Sequence, residues 1–147
     1  MDCEQIKQGI TEFLTESHLA ILEPDFPTSD NQVLTRFRSH GQPLGLQMSF
    51  SPEKRVMTLI VYFPDQNPIA RDEHSFQILN AFNAKILLSH FVFLGEDGGI
   101  TLRSGYVLMD GKFNKKKFKE HFNQIVHDAA YYYPQIKKLL AEGPANA

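Results

Sequence analysis

The sequence predicts an α+β domain in which helices pack on a single antiparallel, twisted sheet of about five strands. Segments with period-two alternation or continuous apolar character form a group of three and a later group of two. Tight turns link the strands within each group, so neighbouring strands should be antiparallel. Apolar residues three and four apart predict helices before, between and after the groups. We therefore expect the order α-β-β-β-α-β-β-α in one domain over residues 1–142, with a flexible tail over 143–147.

The bulk composition fits one globular core and argues against several partners. The chain has 147 residues, of which 42% are hydrophobic and 22% are charged, and its formal net charge is −2. So small a charge gives no long-range attraction for nucleic acid. Cys3 is the single cysteine, so we expect no disulfide and a cytoplasmic location. No apolar run precedes Cys3 or approaches the roughly 20 residues of a membrane span, so we expect neither a signal peptide nor a membrane partner.

The first helix is predicted from about Asp2 to Ser17, because its apolar residues recur at helical spacing. Gly9 in its middle should weaken the helix by about 1 kcal/mol relative to alanine. A short strand from Leu19 to Leu22 is expected next.

Two further helices follow from the same kind of pattern. One is predicted over about Asp72 to Ala84, with Asp72 as a candidate N-cap. The last helix should start near Asn114 and be broken by Pro134, after which a short helix from Gln135 to Ala141 should complete the chain.

The strands are predicted from alternation and from β-branched and aromatic residues. Asp97-Gly98, between the last two strands, is a strong hairpin signal. The five predicted strands are Gln32–Ser39, Leu44–Phe50, Arg55–Phe63, Phe91–Leu94 and Ile100–Met109.

The third strand is apolar on both faces, which is the most informative feature of the sequence. Met57, Leu59, Val61 and Phe63 alternate with a second apolar set, Val56, Ile60 and Tyr62. Helices cover one face of a small sheet readily, and a large bare apolar patch is unusual on a monomer. The second helix could cover Val56, Ile60 and Tyr62, or these residues could form an interface with a partner; the sequence leaves both open.

Several local segments resemble the YbjN-like family, described as bacterial sensory transduction regulators. The resemblance runs from about Gln32 to the end and rests on Arg55–Phe63, Leu79–Asn83, Phe91–Leu94 with Asp97-Gly98, Ile100–Arg103 and Tyr133–Ile136. It implies a fold similar to the type III secretion chaperones, with a five-stranded twisted sheet, helices packed on it, and frequent dimers. It implies no known reaction.

Five polar residues are candidates for binding. Arg36 and Arg38 share one face of the first strand, and with Arg103 they could hold an anion or an acidic peptide. Exposed arginines on a solvated sheet face are the more ordinary explanation. Asn80 and Asn83 lie on one helix face and could meet a ligand, although the more ordinary explanation is that Asn83 caps the helix end and Asn80 satisfies loop backbone.

Other charged groups give weaker signals. The run Lys115-Lys116-Lys117 and Lys119 is typical of a solvated helix face, with a basic docking patch as the alternative. The histidines show no metal-ligand spacing, and we expect no metal and no cofactor.

Two classes of function remain. The first is a non-catalytic protein-binding or regulatory module, chaperone-like and homodimeric, with a protein or peptide partner. The alternative is a small-ligand sensor, or an enzyme whose unrecognised site uses His127, Asp128 and one of the tyrosines 131–133.

Overall fold

The computed structural model describes residues 3–22, 31–51, 53–64, 71–94, 99–108 and 112–143. The predicted α+β class and order of elements are confirmed. The predicted turn at Asp97-Gly98, the ends of predicted elements at Asp2 and Met109, and residues 144–147 of the predicted tail lie outside the described residues. The elements are α1 (Cys3–Glu16), β1 (Gln32–Ser39), β2 (Gln42–Ser51), β3 (Val56–Tyr62), α2 (Glu73–Asn83), β4 (Ser89–Phe93), β5 (Ile100–Val107) and α3 (Lys115–Glu142).

The five strands form one antiparallel sheet in the order β1-β2-β3-β5-β4. The first three strands follow one another as a meander because short turns join them. Between β1 and β2 the turn has two residues, His40 and Gly41, with φ angles of 52° and 80°. Two consecutive positive φ angles are the geometry of a type I′ turn, whose twist matches that of the flanking strands. Gly41 adopts this backbone without the steric cost that a Cβ would add.

All three helices pack on the same side of the sheet. Helix α3 crosses it, and Tyr133 stacks on Phe63, just beyond β3, with ring centroids 3.7 Å apart. Helix α1 packs on α3 through an edge contact between Phe13 and Phe118 at 5.2 Å. Helix α2 packs against both α3 and β4. The core therefore lies between one sheet face and one layer of helices.

The alternation of side chains along β3 determines which of them enter the core. Met57, Leu59 and Val61 have relative exposures of 0%, 0% and 1% and face the helices, whereas Val56 and Ile60 are only half-buried. Fully burying one such side chain stabilises the fold by about 1.5–3 kcal/mol. Of the two predicted apolar faces of β3, the first is therefore the core face.

Pro134 does not break the last helix, so that prediction is wrong. Helix α3 is continuous over 28 residues with Pro134 inside it. The side chain of Pro134 is exposed, while its neighbours Tyr133 and Ile136 are 1% and 0% exposed. Burying these two side chains offsets an interior proline that costs about 3 kcal/mol. The side chain of Gln135 also donates a hydrogen bond to the carbonyl of Tyr131 at 3.0 Å, beside the proline.

The short strand expected at Leu19–Leu22 is reduced to one bridge. Leu22 pairs with Leu34 on the outer edge of β1, where the Leu22 N–H donates to the Leu34 carbonyl at 2.9 Å.

Candidate binding surface

The side of the sheet opposite the helices is here named the open face. It presents the side chains of β3 that do not enter the core, together with their neighbours on the other strands. The register places these residues on it: Leu34, Arg36 and Arg38 of β1; Pro43, Gln47 and Ser49 of β2; Val56, Thr58, Ile60 and Tyr62 of β3; Thr101, Arg103 and Val107 of β5; and His90 and Val92 of β4.

The predicted interface residues Val56, Ile60 and Tyr62 come together at the centre of the open face, and each is half-buried. Helix α2 packs on α3 and β4 in the helix layer, so of the two alternatives that the sequence left open, cover by α2 does not hold. In the part of the chain that the structure describes, no helix packs on this centre. It therefore offers apolar surface on the strand in the middle of the sheet.

Tyr62 is held in place by a chain of polar groups. Its hydroxyl donates to Gln47 Oε1 at 2.8 Å, and Gln47 Nε2 donates to Ser49 Oγ at 3.1 Å. Burial raises the pKa of Tyr62, and the positive charge of Arg103 acts in the opposite direction. The phenol is thus neutral at ordinary pH, and its ring is fixed for contact.

The three predicted arginines share the open face, but they do not form one cluster. Arg36 and Arg38 lie on the edge strand β1, where Arg38 Nη1 donates to the Gly41 carbonyl at 3.0 Å. Arg103 lies on β5, opposite Ile60. With β2 and β3 between them, β1 and β5 are three strand spacings apart, about 14 Å. The arginines therefore lie on either side of the apolar centre.

Asn83 has a structural role that the sequence did not show. Its side-chain amide bonds the backbone of Phe91 in β4, donating to the carbonyl at 3.0 Å and accepting from the N–H at 2.7 Å. The end of α2 is instead closed by Ala84, so the expected helix cap by Asn83 is wrong. Asn80 is exposed on α2, and the two asparagines do not combine into one site.

The residues of the alternative enzymatic site come together only in part, because His127 meets Tyr131 but Asp128 does not join them. Asp128 is 4% exposed and accepts hydrogen bonds from Ser89 Oγ at 3.1 Å and from Gln124 Nε2 at 3.0 Å. His127 is exposed and stacks with Tyr131 at 5.8 Å. Asp128 thus joins α3 to β4 inside the molecule, while His127 faces solvent.

Two of the four lysines at the start of α3, Lys115 and Lys117, contact other residues of the chain. Lys115 forms an ion pair with Glu16 of α1 at 2.5 Å. Lys117 lies over the ring of Tyr106 at 5.6 Å, and Tyr106 stacks on His121 at 4.1 Å. Lys116 and Lys119 are exposed. The alternation of β5 places Tyr106 on the helix side, but its stacking partner could be known only from the packing of α3.

A cavity of about 310 Å³ lies beside this aromatic stack and is lined in part by Tyr106, Phe113 and Lys117. Among the residues that the structure describes, the buried hydroxyl of Tyr106 has no hydrogen-bond partner. Burial raises the pKa of Tyr106 well above its usual value. The cavity combines aromatic walls with two cations, Lys112 and Lys117, and nothing in the sequence indicated it.

Among the described residues, no group of three or more His, Cys, Asp or Glu residues lies together as a metal site would require. Within the same ranges, the helices fall short of the length and apolar character needed to cross a bilayer.

Comparison with known proteins gives two matches. The profile of the YbjN family, described as "Putative bacterial sensory transduction regulator", matches residues 7–138. A chain of a solved structure, "Crystal Structure of the ExsC-ExsE Complex", matches with a TM-score of 0.61 and 16% sequence identity, over 95% of this chain and 97% of that chain. At this identity the likeness shows the fold, and it confirms the predicted chaperone-like sheet and helices. A search of curated proteins finds no match.

Proposed function

Because this chain belongs to the YbjN family, we propose that it is a non-catalytic regulatory module that acts by binding another protein. The observation that carries the proposal is the open face, whose apolar centre lies on β3 away from all three helices. The structural likeness to a chain of a two-protein complex supports the same kind of role. We propose that it acts in the bacterial cytoplasm.

We propose the open face as the contact surface because the apolar side chains at its centre do not pack into the core. Val56, Ile60 and Tyr62 would lose further contact with water when a partner covers them. Each 100 Å² of apolar surface so removed contributes about 2.5 kcal/mol before the costs of association.

A pull-down from an extract of the source cells tests this contact surface. Val107 is 56% exposed on the open face, and Leu139 is 39% exposed on α3. We expect Val107→Glu to lose a partner that the wild type retains, and the matched change Leu139→Glu to keep it. Equal retention by both variants would overturn the open face as the contact surface.

A homodimer is part of the proposal, as the family resemblance implies. Sedimentation velocity at micromolar concentration measures it directly. A single monomeric species would remove the dimer from the proposal and leave binding of a different protein in place.

The cavity beside Tyr106 supports a second candidate function, a sensor for a small ligand. Its volume of about 310 Å³ lies at the lower end of the range of ligand sites. A ligand that binds only the native state raises its Tm. We expect a hit from a metabolite panel to be lost in Lys117→Gln and kept in Lys119→Gln if the cavity is the site.

A further inference from the structure

The charges on the open face indicate the chemistry of its partner. We propose that the occupant of the open face is an acidic segment of another protein, in which carboxylates flank apolar side chains. This inference rests on the proposed function and adds the chemical class of the partner.

The sheet carries positive charge only. The five strands contain three arginines and one histidine but no aspartate or glutamate, although the chain has 17 acidic residues. Arg36, Arg38 and Arg103 all project from the open face. Some charged groups elsewhere in the molecule have partners within the chain. Lys115 forms an ion pair with Glu16, and Asp128 accepts a hydrogen bond from Ser89 in the interior. Across the described residues, by contrast, no carboxylate forms an ion pair with Arg36 or Arg103, so both guanidinium groups are available to a partner.

The spacing of the arginines restricts the segment further. The distance of about 14 Å between β1 and β5 equals about four residues of extended chain. A segment that crosses the strands could therefore place one carboxylate near Arg36 and a second, four residues later, near Arg103. The residues between the two carboxylates would lie over Ile60 and Tyr62, where apolar side chains are favoured.

A second copy of the chain does not complement the positive charges of this surface. Face-to-face pairing would bring the same arginines from each copy and no carboxylate to meet them, and like charges in an interface disfavour association. Nucleic acid supplies anions, but its phosphates leave the apolar centre unmatched. An acidic protein segment satisfies both the charges and the apolar centre, so a homodimer would form through another surface.

Titration with labelled peptides tests the proposal on the full chain. The probe is fluorescein-Gly-Ser-Glu-Val-Phe-Val-Glu-Ser-Gly, and two matched peptides replace both glutamates with glutamine or with lysine. Anisotropy gives Kd, and amide NMR shifts locate the contact. We expect the acidic peptide to bind on the open face about 3- to 10-fold more tightly than the glutamine peptide, and this advantage to shrink in high salt.

Variants separate the arginines from general charge effects. Arg103→Gln should weaken binding of the acidic peptide. Lys116→Gln makes an equal change of charge at an exposed position of α3 and should leave that binding unchanged. Arg103→Glu should weaken binding of the acidic peptide more than Arg103→Gln does, because it brings a like charge to the second carboxylate. Amide spectra of each variant check that the fold is retained.

The outcomes distinguish this inference from the proposed function. If the glutamine peptide binds the open face as tightly as the acidic one, the acidic partner is overturned while the open face remains the binding surface. Tighter binding of a 12-nucleotide single-stranded DNA than of the acidic peptide would also overturn it. If the peptides and the cellular partner all contact another surface, the proposed function fails as well.

Discussion

Asn83 of α2 forms two hydrogen bonds with the backbone of Phe91 in the edge strand β4. The amide thereby occupies both the carbonyl and the N–H of Phe91, as a neighbouring strand would. An unpaired strand edge is a template for pairing with another chain. Asn83 therefore joins α2 to β4 and closes the edge of the sheet at this residue.

We expect Asn83→Ala to lower the free energy of unfolding by about 1–3 kcal/mol, because two backbone groups of Phe91 lose their partner. Urea denaturation measures the change. The matched variant Asn80→Ala removes an exposed asparagine from the same helix and should cost less than about 0.5 kcal/mol. Equal losses from both variants would contradict a special role for Asn83.

Gly9→Ala should destabilise the protein, even though alanine is the better helix former by about 1 kcal/mol. The ring of Phe113 packs against Gly9 so closely that a Cβ there would overlap its Cδ1 and Cε1 atoms. Relieving such an overlap costs about 1–3 kcal/mol.

A double-mutant cycle checks this interpretation of Gly9. In a Phe113→Ala background the overlap is absent, and Gly9→Ala should then be neutral or stabilising. A loss of the same size in both backgrounds would show that Phe113 is not the cause.

Pro134→Ala should stabilise the protein by about 1–3 kcal/mol. Alanine restores a backbone N–H that can donate to the carbonyl of Ala130, and it removes the clash of the proline ring. Thermal unfolding gives the change in Tm. Lys138→Ala, also exposed on α3, is the control and should stay within about 0.5 kcal/mol of wild type. A lower Tm for Pro134→Ala would mean that the proline shapes the helix to fit the sheet.

His121 should make the native state less stable in mild acid. Burial beside Tyr106 lowers its pKa, Lys117 lowers it further, and Glu120 acts in the opposite direction. Since the pKa is lower in the folded state than in the unfolded state, the unfolded state binds the proton more readily. Stability should therefore fall as the pH drops below about 6.5 towards the folded pKa.

Thermal unfolding at pH 7.5 and pH 5.5 measures this effect. His121→Phe should show a smaller drop in Tm between the two pH values than wild type. His127→Gln removes an exposed histidine from the same helix and should keep the wild-type drop. An unchanged drop in His121→Phe would exclude His121 as the source.

Local pattern was enough to predict much of the fold. The alternation around Leu59 predicted a strand with one face in the core, because side chains on a strand point to opposite sides regardless of the rest of the chain. The same local rule placed Arg36 and Arg38 on one face. The break expected at Pro134 was wrong because burial of Tyr133 and Ile136 outweighs the local preference of proline.

The features that depend on distant packing could not be predicted. The position of Arg103 relative to Arg36 follows from the insertion of β5 between β3 and β4, which is a matter of strand order. The partner of Asn83 lies on β4 and that of Tyr106 on α3, so neither can be read from nearby residues. The two apolar faces of β3 were predictable from its sequence, but which of them the helices cover was not.

The pairing of β3 with β5 is where strands from the two halves of the chain meet. Residues up to Pro64 supply α1 and the three-stranded meander, and residues from Arg71 onwards supply the hairpin β4-β5 and the other helices. Each half can form its own turns quickly, but Leu59 must find Ser104 across a long stretch of chain, which costs loop entropy. Joining the halves should thus be the slow step of folding, and two fragments cut between Pro64 and Arg71 should reassemble through this strand pair and the packing of α3 on α1 and β3.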